Sequence, residues 1–127
     1  MDEIITDLIN AAESVLGEYK LRDEFACGSV GAAIRTYNGN TYTGVCIDLG
    51  CGLGFCAETA AIAEMLKHRE THIIAVVAVN ESGILPPCGR CREMIAQVDT
   101  RNMDCSVAIG GDQVVPLKQL LPNHWLI

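Results

Sequence analysis

Apolar residues first fall at helical spacing, at Ile4, Ile5, Leu8, Ile9, Ala12, Val15 and Leu16, which predicts a one-faced helix over residues 2–20 ending at Gly17 or Lys20. The period then changes. Two strand-like runs, 27–37 and 41–49, flank Asn38-Gly39-Asn40, a strong hairpin signal. In the second run Val45, Ile47 and Leu49 alternate with Gly44, Cys46 and Asp48, so Cys46 and Asp48 are expected on one side, as one wall of a pocket. Residues 56–68 return to helical character, and Ile73 to Val79 is a continuous apolar run typical of a central strand. After Pro86-Pro87, which suits a helix start, a helix is expected over about 88–98. A strand at 105–109, a turn at Gly110-Gly111-Asp112, a short edge strand at Val114-Val115 and a helix over about 117–121 complete the chain. The order α-β-β-α-β-α-β-β-α predicts one α/β domain over 1–127, a mixed sheet with helices on its faces.

Charge narrows the partners. Nine Lys and Arg stand against sixteen Asp and Glu, for a net charge of −7. A nucleic-acid groove needs a basic patch, so a free small molecule is the expected partner and a polynucleotide is not. No run approaches the roughly 18 apolar residues of a membrane span. The start Met1-Asp2-Glu3 is acidic and does not read as a signal peptide. The seven cysteines therefore read as cytoplasmic thiols and metal ligands rather than disulfides.

Three of those cysteines carry the chemistry. Cys56 is followed two positions later by Glu58, and Pro87-Cys88-Gly89-Arg90-Cys91 follows downstream. Cys88 and Cys91, three apart, share one face of a helix, and all three cysteines fall at the first turns of two expected helices. The positive ends of those helices favour thiolate over thiol. Three thiolates leave one position of a zinc ion open, as a catalytic site requires. Glu58 then stands beside the metal, free to move protons between water and substrate. The bland alternative is a first-turn glutamate serving only the helix dipole. Arg90 or Arg92, flanking Cys91, are candidates to hydrogen-bond sulfur behind the metal.

With these motifs the chain resembles the cytidine deaminase superfamily, within it the small cytidine deaminases and blasticidin S deaminases. Val30-Gly31-Ala32-Ala33 is similar to the family's first strand, Tyr42-Thr43-Gly44-Val45 to its second, and Leu120-Leu121-Pro122 with Trp125 to its ending. The resemblance implies a three-layer sandwich with a five-stranded mixed sheet, a homotetramer, and zinc-dependent hydrolytic deamination of a cytosine-type nucleoside or analogue. It also implies that Glu58 protonates a ring nitrogen and the departing amine. The Ala57 N–H and a carbonyl near Pro87 would hold the ring edge, and Trp125 would reach a neighbouring subunit's substrate.

Departures from the family pattern concern substrate more than chemistry. Where cytidine deaminases carry an Asn and a Glu for the ribose hydroxyls, this chain has Cys46 and Asp48. Gly28 stands where a Phe packs on the pyrimidine, and Thr59 where an Arg contacts the thiolates, with Arg90 as the expected substitute. Three other readings stay open, the first of them a deaminase of another aminated heterocycle. A fourth thiol, Cys46 or Cys51, would close the site into a structural zinc module, and Cys88 with Cys91 alone would make a redox dithiol.

Overall fold

The first helix stops short of Lys20 because the chain doubles back at Gly17, whose N–H donates to the Gly28 carbonyl at 2.8 Å. In the computed structural model, which describes residues 2–126, α1 spans Asp2–Val15, and β1 (Tyr19–Arg22) then runs antiparallel to β2 (Phe25–Thr36). The hairpin forms at its expected turn: Gly39 N–H donates to the Thr36 carbonyl and β3 (Thr41–Asp48) returns along β2. Next come a 3-10 turn at Gly50–Gly52, β4 (Gly54–Phe55), α2 (Ala57–Lys67), β5 (Ile73–Asn80) and β6 (Gly83–Leu85). The chain continues through α3 (Gly89–Val98), a 3-10 turn at Thr100–Asp104, β7 (Ser106–Gly110), β8 (Gln113–Pro116) and α4 (Leu117–Leu120).

The sheet runs β4-β3-β2-β5-β7-β8, with β1 added to β2 and β6 to β5. It has eight strands rather than the expected five. The five expected are β2, β3, β5, β7 and β8. The others hold four, two and three residues, too few to show a period. They complete pairings that the long strands leave open. β1 covers the start of β2, where β5 has not yet begun to pair, and β6 covers the end of β5 beyond its parallel contact with β7.

Both faces of β5 are buried, which explains its unbroken apolar run. Ala75, Val77 and Val79 meet Ile5, Leu8 and Ala12 of α1, while Val76 faces Ile62 and Met65 of α2, Ile95 of α3 and Leu117 of α4. The result is a three-layer α/β sandwich. Among the described residues no helix is long and apolar enough to cross a membrane.

Two details position the ends of α2 and α3. A Cβ at Gly44 would lie 2.5 Å from the Ala61 nitrogen and 2.6 Å from the Ala57 carbonyl oxygen, so α2 lies on β3 at a distance only glycine permits. Asn102, fully buried, accepts from Ile73 N–H at 2.7 Å and donates to the Thr71 and Ile95 carbonyls at 3.0 Å each. It thereby ties α3 to the start of β5 with every bond satisfied.

Gly44→Ala should lower the unfolding free energy by about 1–3 kcal/mol in a denaturant titration, because the added methyl overpacks a helix–strand contact. An unchanged midpoint would mean that α2 shifts freely on the sheet.

Candidate functional site

The helices α2 and α3 end against each other. Cys56 is the N-cap of α2 and Cys88 that of α3, both with extended backbone and neither making a side-chain capping bond. Ser, Thr, Asp or Asn at such a position turns back onto its own helix. Here the two sulfurs face one another at 3.5 Å. Cys91, fully buried one turn into α3, completes a group whose three sulfurs all lie within 4.8 Å of one another. Sulfurs on one tetrahedral zinc at ~2.3 Å stand about 3.8 Å apart, so the cluster fits the ion.

The thiols as they stand are electrostatically frustrated. Burial raises the Cys91 thiol far above the ordinary range, and the Glu58 charge and the neighbouring sulfurs add to the rise. Burial, with the Cys88 contact, also raises Cys56. Cys88 goes the other way: burial opposes its ionisation, but the backbone N–H of Cys91 and the neighbouring thiols outweigh it and hold the group below its usual value. A soft cation relieves all three effects at once, and thiolate donors select zinc among the common divalent ions.

Beside the sulfurs opens a cavity of about 460 Å³, within the range of small-molecule sites. Cys56, Ala57, Glu58 and Cys88 belong to its lining. Glu58 is 4 % exposed, and burial raises its carboxyl pKa, offset in part by its own backbone N–H. Ala57 opens α2, where an N–H has no intrahelical partner.

Cys46 and Asp48 both line this cavity, as their alternation on β3 predicts. The Cys46 sulfur is turned to the protein: it lies 3.2 Å from Ser29 Oγ, accepts from Val30 N–H at 3.3 Å and donates to Asp48 Oδ2 at 3.7 Å. Cys51 is exposed, with a left-handed backbone (φ 59°), and neither it nor Cys46 belongs to the sulfur cluster.

The other expected site residues lie at different distances from the thiols and the cavity. The Arg90 side chain is exposed and lines an outer groove with Glu93 and Gln97, and no bond from it to sulfur is present among the described residues. The side chain that approaches the thiols is Thr59, with Oγ1 4.0 Å from the Cys91 sulfur; the signal was its position one helical turn after Cys56. The Pro87 carbonyl accepts from Arg92 Nε at 2.8 Å, and Pro86 rather than Pro87 lines the cavity. Trp125, 76 % exposed, stands outside its own chain's cavity.

Gly28 has a physical reason for not being a Phe. Its φ is +87°, and a Cβ there would lie 2.2 Å from the Gly17 carbonyl oxygen. The aromatic ring in the cavity is Phe55 of β4, which sequence reasoning missed because two residues show no period.

Comparison with known proteins agrees with this geometry. The family model described as cytidine and deoxycytidylate deaminase zinc-binding region matches residues 8–107. A cytidine deaminase of Halalkalibacterium halodurans is 30% identical over 126 residues, covering 94% of this chain and 89% of that protein. A blasticidin-S deaminase of Bacillus cereus is 33% identical over 90 residues, 63% of this chain and 62% of that one. The crystal structure of cytidine deaminase from Mycobacterium leprae superposes with a TM-score of 0.79 at 28% identity, covering 94% of this chain and 98% of the other. On its sequence match, its fold and its three-thiol centre, the chain belongs to the cytidine and deoxycytidylate deaminase family.

Proposed function

We propose that this protein catalyses zinc-dependent hydrolytic deamination of a cytosine-type nucleoside or nucleoside analogue, releasing ammonia. The observation that carries the reading is Glu58, buried in the lining of a ligand-sized cavity beside three clustered thiols. Cys56, Cys88 and Cys91 would hold the zinc. When bound, zinc supplies Lewis acidity that lowers the pKa of water toward neutrality.

The remaining chemistry belongs to the chain. Glu58 takes a proton from the attacking water and delivers it to the ring nitrogen next to the reacting carbon. A second proton passes through the same carboxyl to the amine as it leaves, so water adds and ammonia departs with no other reagent. The raised pKa of Glu58 suits a group that must both take and give a proton. The unpartnered N–H of Ala57 is disposed to hold the ring edge, and the Thr59 hydroxyl tempers the charge on the Cys91 sulfur. The relatives named as a cytidine deaminase and a blasticidin-S deaminase support either a nucleoside or such an analogue as substrate.

A structural zinc module is disfavoured because, among the described residues, neither Cys46 nor Cys51 belongs to the sulfur cluster. It would also leave Glu58 without work. The assembly we infer is a homotetramer, supported by the exposed apolar side chains of Tyr19, Leu21, Leu53 and Trp125. Analytical ultracentrifugation reads it directly, and a monomer at micromolar concentration would exclude it.

Glu58→Gln keeps shape while removing the proton carrier. Turnover of cytidine or blasticidin S, followed by ultraviolet absorbance, should fall by about 10²–10⁴-fold or more with one zinc per chain retained. Residual activity near wild type would take Glu58 out of the mechanism. Metal content by plasma mass spectrometry should fall well below one zinc per chain in Cys91→Ser and stay at one in Cys51→Ser. Loss of zinc in Cys51→Ser would mean a closed, four-thiol site.

A further inference from the structure

A second cavity, of about 220 Å³, opens at the end of α2 opposite to Glu58. Its lining comes from the turn after β2 (Tyr37, Asn38), the segment joining α2 to β5 (Arg69, Glu70, His72) and the second 3-10 turn (Arg101). It shares no residue with the first cavity. Polar atoms closed to solvent in folded proteins are bonded with few exceptions. Among the described residues the side-chain exceptions are two, Glu70 Oε1 and His72 Nδ1, and both residues line this cavity.

The frame around these atoms is fixed. Tyr37 stacks on His72 with ring centroids 4.9 Å apart and planes 8° from parallel. The Tyr37 N–H donates to the His72 carbonyl at 2.9 Å. Glu70 Oε2 accepts from the Tyr42 hydroxyl and from Asn40 Nδ2. The Tyr42 bond, foremost among several, holds the Glu70 carboxyl down to about 2. Oε1 is therefore an ionised acceptor with no donor on it.

The rim is basic, although the chain carries a net charge of −7. Arg101 gives Nε and Nη2 hydrogens to Asp99 at 3.0 and 2.7 Å, which leaves three of its five N–H groups for other partners. Arg69 is exposed and belongs to none of the ion pairs among the described residues. It also holds a left-handed backbone, φ 64°, just past the end of α2, where glycine is usual. With Arg101 balanced by Asp99, Arg69 and Glu70 are opposite charges in one cavity that do not pair with each other. A bare anion would meet the Glu70 carboxylate, and a bare cation would meet the guanidinium groups.

We propose that this cavity binds a small zwitterion of the α-amino acid class, its ammonium on Glu70 Oε1 and its carboxylate on Arg69 and Arg101. Both contacts are charge-assisted, and an arginine suits a carboxylate by its fork of donors. His72 Nδ1 fits either pole: as N–H it donates to the carboxylate, and as a bare nitrogen it accepts from the ammonium. One carbon separates the two charges of an α-amino acid, which matches poles set in so small a space. The inference does not rest on the deaminase reading, because the two cavities have separate linings.

The test is calorimetric titration of the full chain with glycine, L-alanine, L-serine, L-aspartate and L-lysine. Propionate, ethylamine and inorganic phosphate serve as controls that lack one pole. At least one amino acid should bind with a Kd of about 1 mM or tighter, and every control about tenfold or more weaker. Glu70→Gln and Arg69→Gly should each weaken that amino acid about tenfold or more. Glycine suits φ 64°, so Arg69→Gly should melt no lower than wild type and keeps the test open should Glu70→Gln fail to fold.

No binding by any of the five amino acids overturns the proposal. So does equal binding of propionate, ethylamine or phosphate, or an affinity that survives Arg69→Gly. Competition by cytidine would put the amino acid in the first cavity and overturns it as well. Binding that persists in a protein without deaminase turnover supports the second site and leaves only the deaminase reading to fall.

Discussion

The Cβ that Gly44 lacks would fall among backbone and side-chain atoms of α2, 2.5–2.6 Å from Ala57, Ala60 and Ala61. The helix is thus laid directly on β3 by a run of small residues, and its first turn is carried to the edge of the sheet. Everything chemical depends on that placement. Cys56 caps the helix, Ala57 and Glu58 form its first turn, and all three open onto the cavity. The opposing helix α3 is fixed independently, by Asn102 from below and by Arg92, which bonds the Pro87 and Leu120 carbonyls. Two helices pinned from different directions leave their N-terminal caps within sulfur–sulfur contact.

That convergence has an electrostatic consequence. Burial first, and then the neighbouring sulfurs and the Glu58 charge, disfavours the charged forms of Cys91 and Cys56, while burial raises Glu58 itself. A cluster of this kind is poor as a packed core and good as a cation site, because the ion converts mutual repulsion into ligation. The cavity draws its lining from two kinds of element. The helix termini bring Cys56, Ala57, Glu58 and Cys88, to which the proposed reaction gives the metal and the protons. The strand β3 brings Cys46 and Asp48 beside a bulge in β2.

Cys46 illustrates how far a side chain's role depends on its neighbours. Alternation along β3 is enough to put it on the cavity side with Asp48. Alternation does not show that β2 bulges opposite it, and so does not show that its sulfur is consumed by Ser29 and Val30. Arg90 makes the same point from the other side. Its adjacency to Cys91 suggests a contact with sulfur, yet the turn of α3 carries its side chain outward, and Thr59 on the facing helix occupies the space instead.

By itself the sequence determined the major elements and the candidate reactive set. Long periodic runs name α1, α2, β2, β3 and β5 because burial imposes a period that only length makes visible. Cys56, Glu58, Cys88 and Cys91 are legible because metal and proton chemistry admit few residue types at few spacings. Tertiary structure alone decided the rest. It placed the three short strands, the bulge at Gly28, the ring of Phe55 in the cavity, Thr59 behind Cys91, and the orientation of the Cys46 thiol. Each of these is fixed by a partner far away in the chain, through a close approach or a single hydrogen bond, and such contacts leave no period along the sequence to read.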